Sequence, residues 1–128
     1  MNNKYDIGVY FCTDSVRALI VNTQTGEAAG THVHEYARWK KGLYCDPAVS
    51  QFRQHPLDYL EGLEQSIQGA LAKAPADVRQ QVVGISIDTT GSTPGPVDET
   101  GLPLALRPDF AENPIVMFLR WKDQTANA

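Results

Sequence analysis

The sequence predicts an α/β fold in which three antiparallel strands are followed by a crossover helix and a parallel fourth strand. Three observations support this prediction. Residues 6–11 alternate strictly between apolar and polar side chains, as a half-buried strand does. Apolar residues recur at helical spacing after Pro56. Residues 82–88 then form a largely apolar run, which is typical of a strand in a parallel sheet.

The first three strands form a predicted meander. The strand at residues 6–11 is joined by a short hydroxyl-rich turn to a strand at Val16–Val21. The polar turn Asn22–Gly26 connects this second strand to a third at Glu27–Tyr36. Neighbours in such a meander are antiparallel, so strands 1, 2 and 3 lie side by side.

The middle of the chain predicts a loop, a helix and a central strand. Residues 38–53 contain Gly42 and Pro47 and few periodic apolar positions, so we expect a loop that covers or lines something. A helix from Pro56 to Pro75 follows, in which the two glycines each cost roughly 1 kcal/mol relative to alanine. The strand at 82–88 is expected in the centre of the sheet, parallel to the first.

The last part of the chain predicts a short hairpin at residues 96–104 and a final helix at Ile115–Lys122, capped by Asn113. That helix would be apolar around most of its circumference, and such a helix is normally buried. We therefore expect it to be covered by chain beyond residue 128, so that the present sequence is a truncated piece.

Composition and charge exclude several classes of protein. The 128 residues are 42% hydrophobic and 20% charged with a net charge of −4, so we expect one ordinary globular domain and no nucleic-acid surface. No apolar run approaches the roughly 20 residues of a membrane span, and no apolar leader precedes the first strand. The expectation is a cytoplasmic protein. Cys12 and Cys45 indicate neither zinc nor a disulfide.

Two turns carry the residues with the clearest chemistry. Thr13, Ser15 and Arg17 follow the first strand, and hydroxyls with a guanidinium suit an oxyanion such as a nucleotide phosphate. Asp88 begins a polar loop at the end of the fourth strand. Because ligands of open α/β sheets bind beyond the carboxyl ends of the strands, we expect both turns at the same edge.

Structural roles remain open for several of these residues. Asp88 either contacts a substrate or metal, or caps its loop through the N–H groups of Thr90 and Gly91. The hydroxyls of residues 89–93 either recognise a sugar or stabilise the turn. His32 and His34 alternate on one face of a predicted strand without a carboxylate or cysteine nearby, which makes a metal site the less favoured interpretation.

The opening hairpin resembles the phosphate-binding hairpin of the FGGY carbohydrate kinases, which reads roughly G-x-D-x-G-[ST]-x-S-x-R. Four positions match it: Gly8, Thr13, Ser15 and Arg17. Two positions depart from it, because Tyr10 stands where the family has an acid and Cys12 where it has glycine. The family has a ribonuclease-H-like (actin/hexokinase-like) fold, and the resemblance implies that this chain is an N-terminal half-domain with a mixed sheet.

Later blocks resemble the N-terminal region of the bacterial L-ribulokinase branch of that family. These blocks are Arg38-Trp39, Lys41-Gly42, Phe52-Arg53, His55-Pro56, Asp58-Tyr59, Asp88 to Pro94, Leu104 to Pro108, Phe110 to Pro114 and Met117-Phe118. The resemblance implies ATP-dependent phosphorylation of L-ribulose to L-ribulose 5-phosphate, a step of L-arabinose catabolism. Residues 1–128 would be the first part of kinase domain I, inactive alone, with the catalytic base elsewhere.

The resemblance also implies where ligands bind. The region of the nucleotide phosphates and magnesium is Tyr10, Cys12, Thr13, Ser15 and Arg17. The substrate region is Asp88, Thr90, Gly91, Ser92 and Thr93. No catalytic residue or metal ligand is assigned within this chain. The implied cofactors are ATP and Mg²⁺. The implied binding partners are L-ribulose and ATP, and neither nucleic acid nor a membrane is expected to bind. Assembly into a homo-oligomer is a further option.

The two departures weaken the implied chemistry. A phenol is neutral at pH 7 and does not hold magnesium as a carboxylate does, and losing one such electrostatic stabiliser typically costs about 3–4 kcal/mol in the transition state. Cys12 blocks close approach of the backbone to phosphate and, in a left-handed conformation, would add roughly 1–2 kcal/mol of strain. We therefore expect poor phosphate binding.

Three alternatives follow from these departures. Tyr10 and Cys12 could simply be packed residues on a central strand. The whole chain could be a non-catalytic kinase-like binding module with a degenerate hairpin. A ribonuclease-H-like nuclease is the third, and it is disfavoured by Tyr10 in the first acidic position and by the negative net charge.

Overall fold

A computed structural model of the chain describes residues 3–127, which fall into two compact units. The first unit comprises the chain up to residue 35 together with 61–90, and the second comprises 36–60 together with the chain from 91 onward. In chain order the elements are β1 (Tyr5–Phe11), β2 (Ser15–Asn22), β3 (Ala28–Glu35), α1 (Ala37–Lys40), β4 (Cys45–Asp46), β5 (Gln51–Gln54), α2 (Pro56–Lys73), β6 (Val82–Thr89) and β7 (Phe118–Leu119).

The first unit is built on a four-stranded mixed sheet with the strand order β3-β2-β1-β6. β2 is antiparallel to both β1 and β3, whereas β6 is parallel to β1. α2 lies between β3 and β6 in the sequence and supplies the crossover that a parallel strand needs. The predicted α/β class, the meander and the parallel fourth strand are therefore confirmed. The ribonuclease-H-like assignment stays a prediction.

The core of this unit lies on one face of the sheet, as the alternation in the sequence predicts. Ile7 and Val9 of β1 are almost fully buried, and in β2 the same holds for Val16, Ala18 and Ile20. The strand register places these five side chains on a common face because partners on neighbouring strands point the same way. Alternate positions, which include Tyr10, face the other way and are more exposed.

Helix α2 approaches β3 closely through glycine. A Cβ atom on Gly30 would overlap the backbone carbonyl oxygen of Ala70, and one on Gly69 would overlap the ring of His32. Lys73 also reaches His32, with 3.0 Å between the Lys73 Nζ and His32 Nδ1 atoms. The glycine that weakens α2 in isolation therefore lets the helix pack tightly on the strand.

The prediction that β6 is a central strand is wrong for the described residues, in which β6 forms one edge of the sheet. Its apolar side chains Val83, Ile85 and Ile87 are 65%, 57% and 61% exposed. The apolar run is typical of a strand with neighbours on both sides, and here β1 is the neighbour on one side only. The sequence pattern therefore predicts that these residues form an apolar strand, but it does not predict where in the sheet that strand lies.

The predicted loop at residues 38–53 is wrong in detail, because it contains α1, β4, a 3₁₀ turn at Pro47–Val49 and β5. These elements are two to four residues long, too short for a periodic pattern. Tight turns separate them, with positive φ at Gly42 (72°), Tyr44 (63°) and Ser50 (54°). Of these three residues only the glycine signals such a turn in the sequence.

The predicted final helix at residues 115–122 is also wrong. Asn113 does cap a turn, since its Oδ1 accepts from the Ile115 N–H at 3.0 Å, but only a 3₁₀ turn at Pro114–Val116 follows. The backbone then becomes extended, and β7 pairs antiparallel with β5. The apolar residues therefore lie in and beside a short strand, and Met117 is fully buried. The expectation of an uncovered apolar helix no longer applies.

The predicted hairpin at residues 96–104 is present as an isolated antiparallel bridge between Val97 and Pro103. Asp98 closes its turn by accepting from the backbone N–H groups of Thr100 (2.8 Å) and Leu102 (3.1 Å). Asp98 is therefore a structural residue of this turn.

Buried polar side chains organise the second unit. The Asp58 carboxylate accepts from the N–H groups of Arg38 and Trp39, both at 3.2 Å, and from the Arg38 guanidinium at 2.9 Å. Arg53 donates to Asp123 at 2.6 Å and to the Pro114 carbonyl at 2.8 Å. Burial alone would raise the pKa of Asp123, but the bonds from Arg53 and from backbone N–H groups hold that pKa well below its usual range.

His55 begins α2 as its N-cap. Its Nδ1 accepts from the Leu57 N–H at 3.1 Å, which fixes the tautomer so that Nε2–H donates to the Ala111 carbonyl at 2.9 Å. The residue is 2% exposed, and burial lowers the pKa of the imidazole although the bond to Ala111 opposes this shift. His55 is therefore held neutral in the folded protein.

We expect Gly30→Ala to lower the free energy of unfolding by about 1–3 kcal/mol, because the new methyl group meets backbone on α2 and not a movable side chain. Gly8→Ala is the matched control on β1, where a Cβ meets nothing closer than the Leu19 carbonyl at 3.9 Å. Urea denaturation followed by circular dichroism measures both. Equal effects of the two substitutions would contradict the close packing of α2 on β3.

A pH prediction follows from His55. Because the folded-state pKa is lowered, the unfolded chain binds the proton more readily, so stability is complete above about pH 6.5 and falls as the pH drops below that value. His55→Asn keeps an N-cap acceptor and removes the titrating group. Urea denaturation between about pH 7 and pH 5 should show a smaller loss of stability in the variant. The same loss in both proteins would overturn this assignment.

Candidate functional site

The hairpin between β1 and β2 turns through three residues, Cys12, Thr13 and Asp14. The Cys12 N–H donates to the Ser15 carbonyl at 2.8 Å, which closes the turn. The Ser15 hydroxyl donates to the Asp14 carboxylate at 3.0 Å and is largely buried, whereas Thr13 is exposed. Of the two hydroxyls predicted to bind an oxyanion, Thr13 is therefore the more accessible.

Arg17, Tyr10 and Asp88 lie side by side on three neighbouring strands. Arg17 on β2 is the register partner of Tyr10, and Tyr10 is in turn the partner of Asp88 on β6. All three are exposed, and the Tyr10 side chain is 44% accessible. Because register partners share a face, a cation, a phenol and a carboxylate form one row on the face opposite the core.

The carboxyl ends of β1 and β6 lie next to each other, as their parallel arrangement predicts. Phe11 is the register partner of Thr89, and the Thr90 N–H donates to the Phe11 carbonyl at 3.2 Å. The turn after Phe11 and the start of the loop after Asp88 therefore share one edge of the sheet. This is the position where open α/β sheets bind their ligands.

The row lines a shallow cavity of about 300 Å³ on the open face of the sheet. The lining of the cavity also includes Gly8, Leu19 and Ser86. Leu19 and Ser86 are not among the predicted site residues. Strand alternation could have found both, since Leu19 lies two residues from Arg17 and Ser86 two residues from Asp88.

Asp88 makes a structural bond with a partner that the sequence did not predict. Its Oδ1 accepts from the N–H of the adjacent Thr89 at 2.9 Å, a residue other than the predicted Thr90 and Gly91. The Thr89 hydroxyl donates to the Thr90 carbonyl at 3.1 Å, so this hydroxyl stabilises the turn. Asp88 remains exposed and directed to the open face, where it can also accept from a ligand hydroxyl.

The remaining predicted substrate residues, Gly91, Ser92 and Thr93, belong to the second unit. Gly91 and Ser92 are exposed, whereas the Thr93 hydroxyl oxygen is buried and makes no hydrogen bond within the described part of the chain. Their assignment to a sugar site stays a prediction.

Cys12 does not adopt the left-handed conformation. Among residues 3–127, positive φ at a non-glycine position occurs at Tyr44 and Ser50 and not at Cys12. The strain that a left-handed cysteine would carry is therefore absent. The departure from glycine at position 12 adds a side chain beside the turn without distorting the backbone.

The hairpin does not fit a divalent cation with its own side chains. Within the described range, no three side chains of His, Cys, Asp or Glu come together as a possible metal-binding group. A phenol occupies position 10, and the His32 ring lies against Gly69 and within 3.0 Å of the Lys73 Nζ atom. Hard cations such as magnesium prefer several oxygen ligands, at least one of them a carboxylate. Any magnesium accompanying ATP would depend on phosphate oxygens and on other ligands.

No helix within residues 3–127 is both long and apolar enough to cross a membrane.

Comparison with known proteins gives a consistent set of relatives. The chain is 54% identical over 127 residues to the ribulokinase of Vibrio parahaemolyticus, which is 99% of this chain and 22% of that protein. It is 34% identical over 131 residues to the ribulokinase of Halalkalibacterium halodurans, covering 98% of this chain and 23% of that protein. This chain is related to the ribulokinases. The chain spans about a fifth of the length of these relatives.

The resemblance to ribulokinases found in the sequence is thereby confirmed. A third ribulokinase, from Bacillus licheniformis, is 38% identical over 121 residues, which are 88% of this chain and 21% of that protein. No protein-family model matches the chain. The similarity to the Vibrio parahaemolyticus ribulokinase covers 99% of the chain and therefore extends over both units.

Proposed function

We propose that this chain is the part of an ATP-dependent sugar kinase that supplies one wall of the site for phosphoryl transfer to L-ribulose. The observation that carries the proposal is the juxtaposition of the two strand ends, with Tyr10 beside Asp88 and the Thr90 N–H bonded to the Phe11 carbonyl. A phosphate-binding hairpin and a sugar-binding loop have to meet if a phosphoryl group is to pass between them. The similarity to ribulokinases supports the substrate class.

In this proposal Arg17 and Thr13 bind phosphate oxygens of ATP. Arg17 is exposed on the open face beside Tyr10, so its guanidinium can donate two parallel hydrogen bonds to one phosphate. Thr13 is an exposed residue of the turn between β1 and β2. Phosphoryl transfer depends mainly on such positioning and on stabilisation of charge.

Asp88 and Thr90 bind the sugar in the same proposal. Asp88 retains acceptor capacity after its bond to Thr89, because an ionised carboxylate has about four lone-pair positions. A polyhydroxylated sugar offers donors to such an acceptor. Gly91, Ser92 and Thr93 would extend these contacts, and their roles belong to the proposal as well.

Tyr10 makes the present hairpin a weak phosphate site. It lies between Arg17 and Asp88, where a carboxylate would help to hold magnesium and a phenol only occupies space. We therefore propose that the chain forms one wall of the kinase active site but lacks the carboxylate that would help to hold magnesium there. The isolated 128 residues are inactive in this view.

A chimera tests the proposal. The chain replaces the matching segment of the Vibrio parahaemolyticus ribulokinase, either unchanged or with Tyr10→Asp and Cys12→Gly, and L-ribulose-dependent ADP formation is measured. We expect the unchanged chimera to be slower than the doubly substituted one by about 10²–10³-fold, the usual effect of removing one charge-stabilising group.

The parent ribulokinase and a Cys12→Gly chimera serve as controls. The parent establishes full activity, and the single substitution separates position 12 from position 10. If the doubly substituted chimera folds but phosphorylates no sugar, the proposed function is wrong for this chain. Equal rates for the unchanged and doubly substituted chimeras would remove the special role of Tyr10.

A second prediction concerns Arg17. In the doubly substituted chimera, Arg17→Gln should raise the KM for ATP by about tenfold or more while changing the KM for L-ribulose little, since one charge-assisted contact is lost. Arg79→Gln, on the 3₁₀ turn at Val78–Gln81 after α2, is the matched control and should change neither constant. An unchanged KM for ATP in the Arg17 variant would refute the phosphate contact.

A further inference from the structure

A small cavity lies in the first unit at the start of β1, away from the turn between β1 and β2. Its volume is about 240 Å³, and it is lined by Tyr5, Asn22, Glu27, Ala28, Ala29 and Pro75. All of these residues belong to the first unit. Tyr5 and Phe11 are the first and last residues of β1, so about 20 Å of strand separates this cavity from the proposed phosphate site.

The cavity lies on the face of the sheet that carries the core. Tyr5 on β1 is the register partner of Asn22 on β2, and two residues away on the same strands Ile7 and Ile20 are buried. Because side chains alternate along a strand, Tyr5 and Asn22 point to the same face as these two isoleucines. Pro75 comes from the loop that follows α2. Segments distant in the sequence therefore enclose the cavity from several sides.

Asn22 brings a nearly buried amide group to this cavity. Its Oδ1 accepts from the backbone N–H groups of Gln24 at 2.9 Å and Thr25 at 3.2 Å. Since only an oxygen can accept from these two donors, the orientation of the amide is fixed, and Nδ2 is directed away from them. Asn22 is 9% exposed, and within residues 3–127 its Nδ2 makes no hydrogen bond. Two N–H donors are therefore available at the cavity wall.

The turn that carries Asn22 and Glu27 is closed by its own hydrogen bonds. The Asn22 N–H donates to the Glu27 carbonyl at 2.9 Å, and the Asn22 carbonyl accepts from the Gly26 N–H at 2.8 Å. The Glu27 N–H donates to the Thr25 hydroxyl at 3.2 Å. A ligand would therefore meet a wall that is already formed, which lowers the entropic cost of binding.

The polar groups of the cavity favour one class of ligand. The Asn22 amide nitrogen donates, whereas the Glu27 carboxylate accepts. A hydroxyl group can accept from Asn22 and donate to Glu27, but an ammonium group has no acceptor. A phosphate would place its negative charge beside the Glu27 carboxylate. Tyr5 and Pro75 add apolar surface that suits the C–H groups of a small carbon skeleton.

We propose that this cavity binds a small neutral polyol, such as a free monosaccharide, at a site separate from the proposed kinase site. Asn22 donates to a ligand hydroxyl, Glu27 accepts from the same or a neighbouring hydroxyl, and Tyr5 and Pro75 contact the carbon skeleton. The cavity contains none of the residues of the proposed phosphate and sugar regions. The polyol site is therefore independent of the proposed kinase role.

Nuclear magnetic resonance of the ¹⁵N-labelled 128-residue chain tests this proposal, with L-arabinose and ribitol as the probes. We expect both to shift the signals of the Asn22 side-chain NH₂ group and of the Glu27 amide. The dissociation constant should be on the order of 1–10 mM, as expected for a ligand of about ten non-hydrogen atoms.

Asn22→Asp keeps the oxygen that the turn requires and removes the NH₂ donor. We expect it to raise the dissociation constant for the polyols at least about tenfold. Gln24→Glu is the matched control, because it makes the same change from amide to carboxylate at an exposed residue of the same turn. It should leave binding unchanged. Circular dichroism verifies folding, and Glu27→Gln, at an exposed position, is a second variant that should weaken binding about threefold or more.

Inorganic phosphate and ethylammonium chloride are the comparison ligands, and we expect neither to shift the Asn22 signals. A shift caused by either of them and not by the polyols would overturn the proposal. The same conclusion follows if the polyols shift only the amides of Tyr10 and Thr90, or leave every signal unchanged. Equal weakening of binding by Asn22→Asp and Gln24→Glu would also contradict the assigned contact.

Discussion

The first unit depends on the close contact between α2 and β3. With hydrogen atoms in place of side chains at Gly30 and Gly69, the helix backbone can rest almost directly on the strand. One helix covers only part of a four-stranded sheet, and this contact fixes the covered part at the β3 side. The buried residues of β1 and β2 lie next to it, whereas the isoleucines of β6 lie beyond it. Within the described residues, the apolar side chains of β6 are therefore left exposed.

The second unit is held together differently, by polar side chains that are almost fully buried. The Asp58 carboxylate accepts hydrogen bonds from two backbone N–H groups and from the guanidinium of the segment at Arg38. Arg53 on β5 donates to Asp123 and to the Pro114 carbonyl. Each of these bonds joins residues distant in the sequence. Buried charges are costly unless every bond is made, so such a network specifies one arrangement of short segments that have little periodic structure of their own.

This difference explains what the sequence could and could not predict. Alternation and helical spacing identified β1, β2, β3, α2 and β6, because each is long enough to repeat its pattern, and the parallel direction of β6 placed Asp88 beside Tyr10. The pieces of the second unit are too short for that, and the apolar run at residues 115–119 fitted a helix as well as a strand. Its strand pairing with β5 depends on tertiary contacts. The position of β6 at the edge of the described strands likewise depends on the assembled sheet, whereas strand alternation could have placed Leu19 and Ser86 in the cavity.

The ordinary backbone conformation of Cys12 has a consequence for how such a hairpin can change over generations. Replacing this cysteine by glycine relieves no strain, and the added freedom of the unfolded chain would lower stability by up to about 1 kcal/mol. Folding alone therefore gives selection no reason to keep glycine here. Glycine at this turn is therefore retained in evolution only while a bound ligand requires the space beside the backbone. The residue at position 12 indicates whether that requirement still applies.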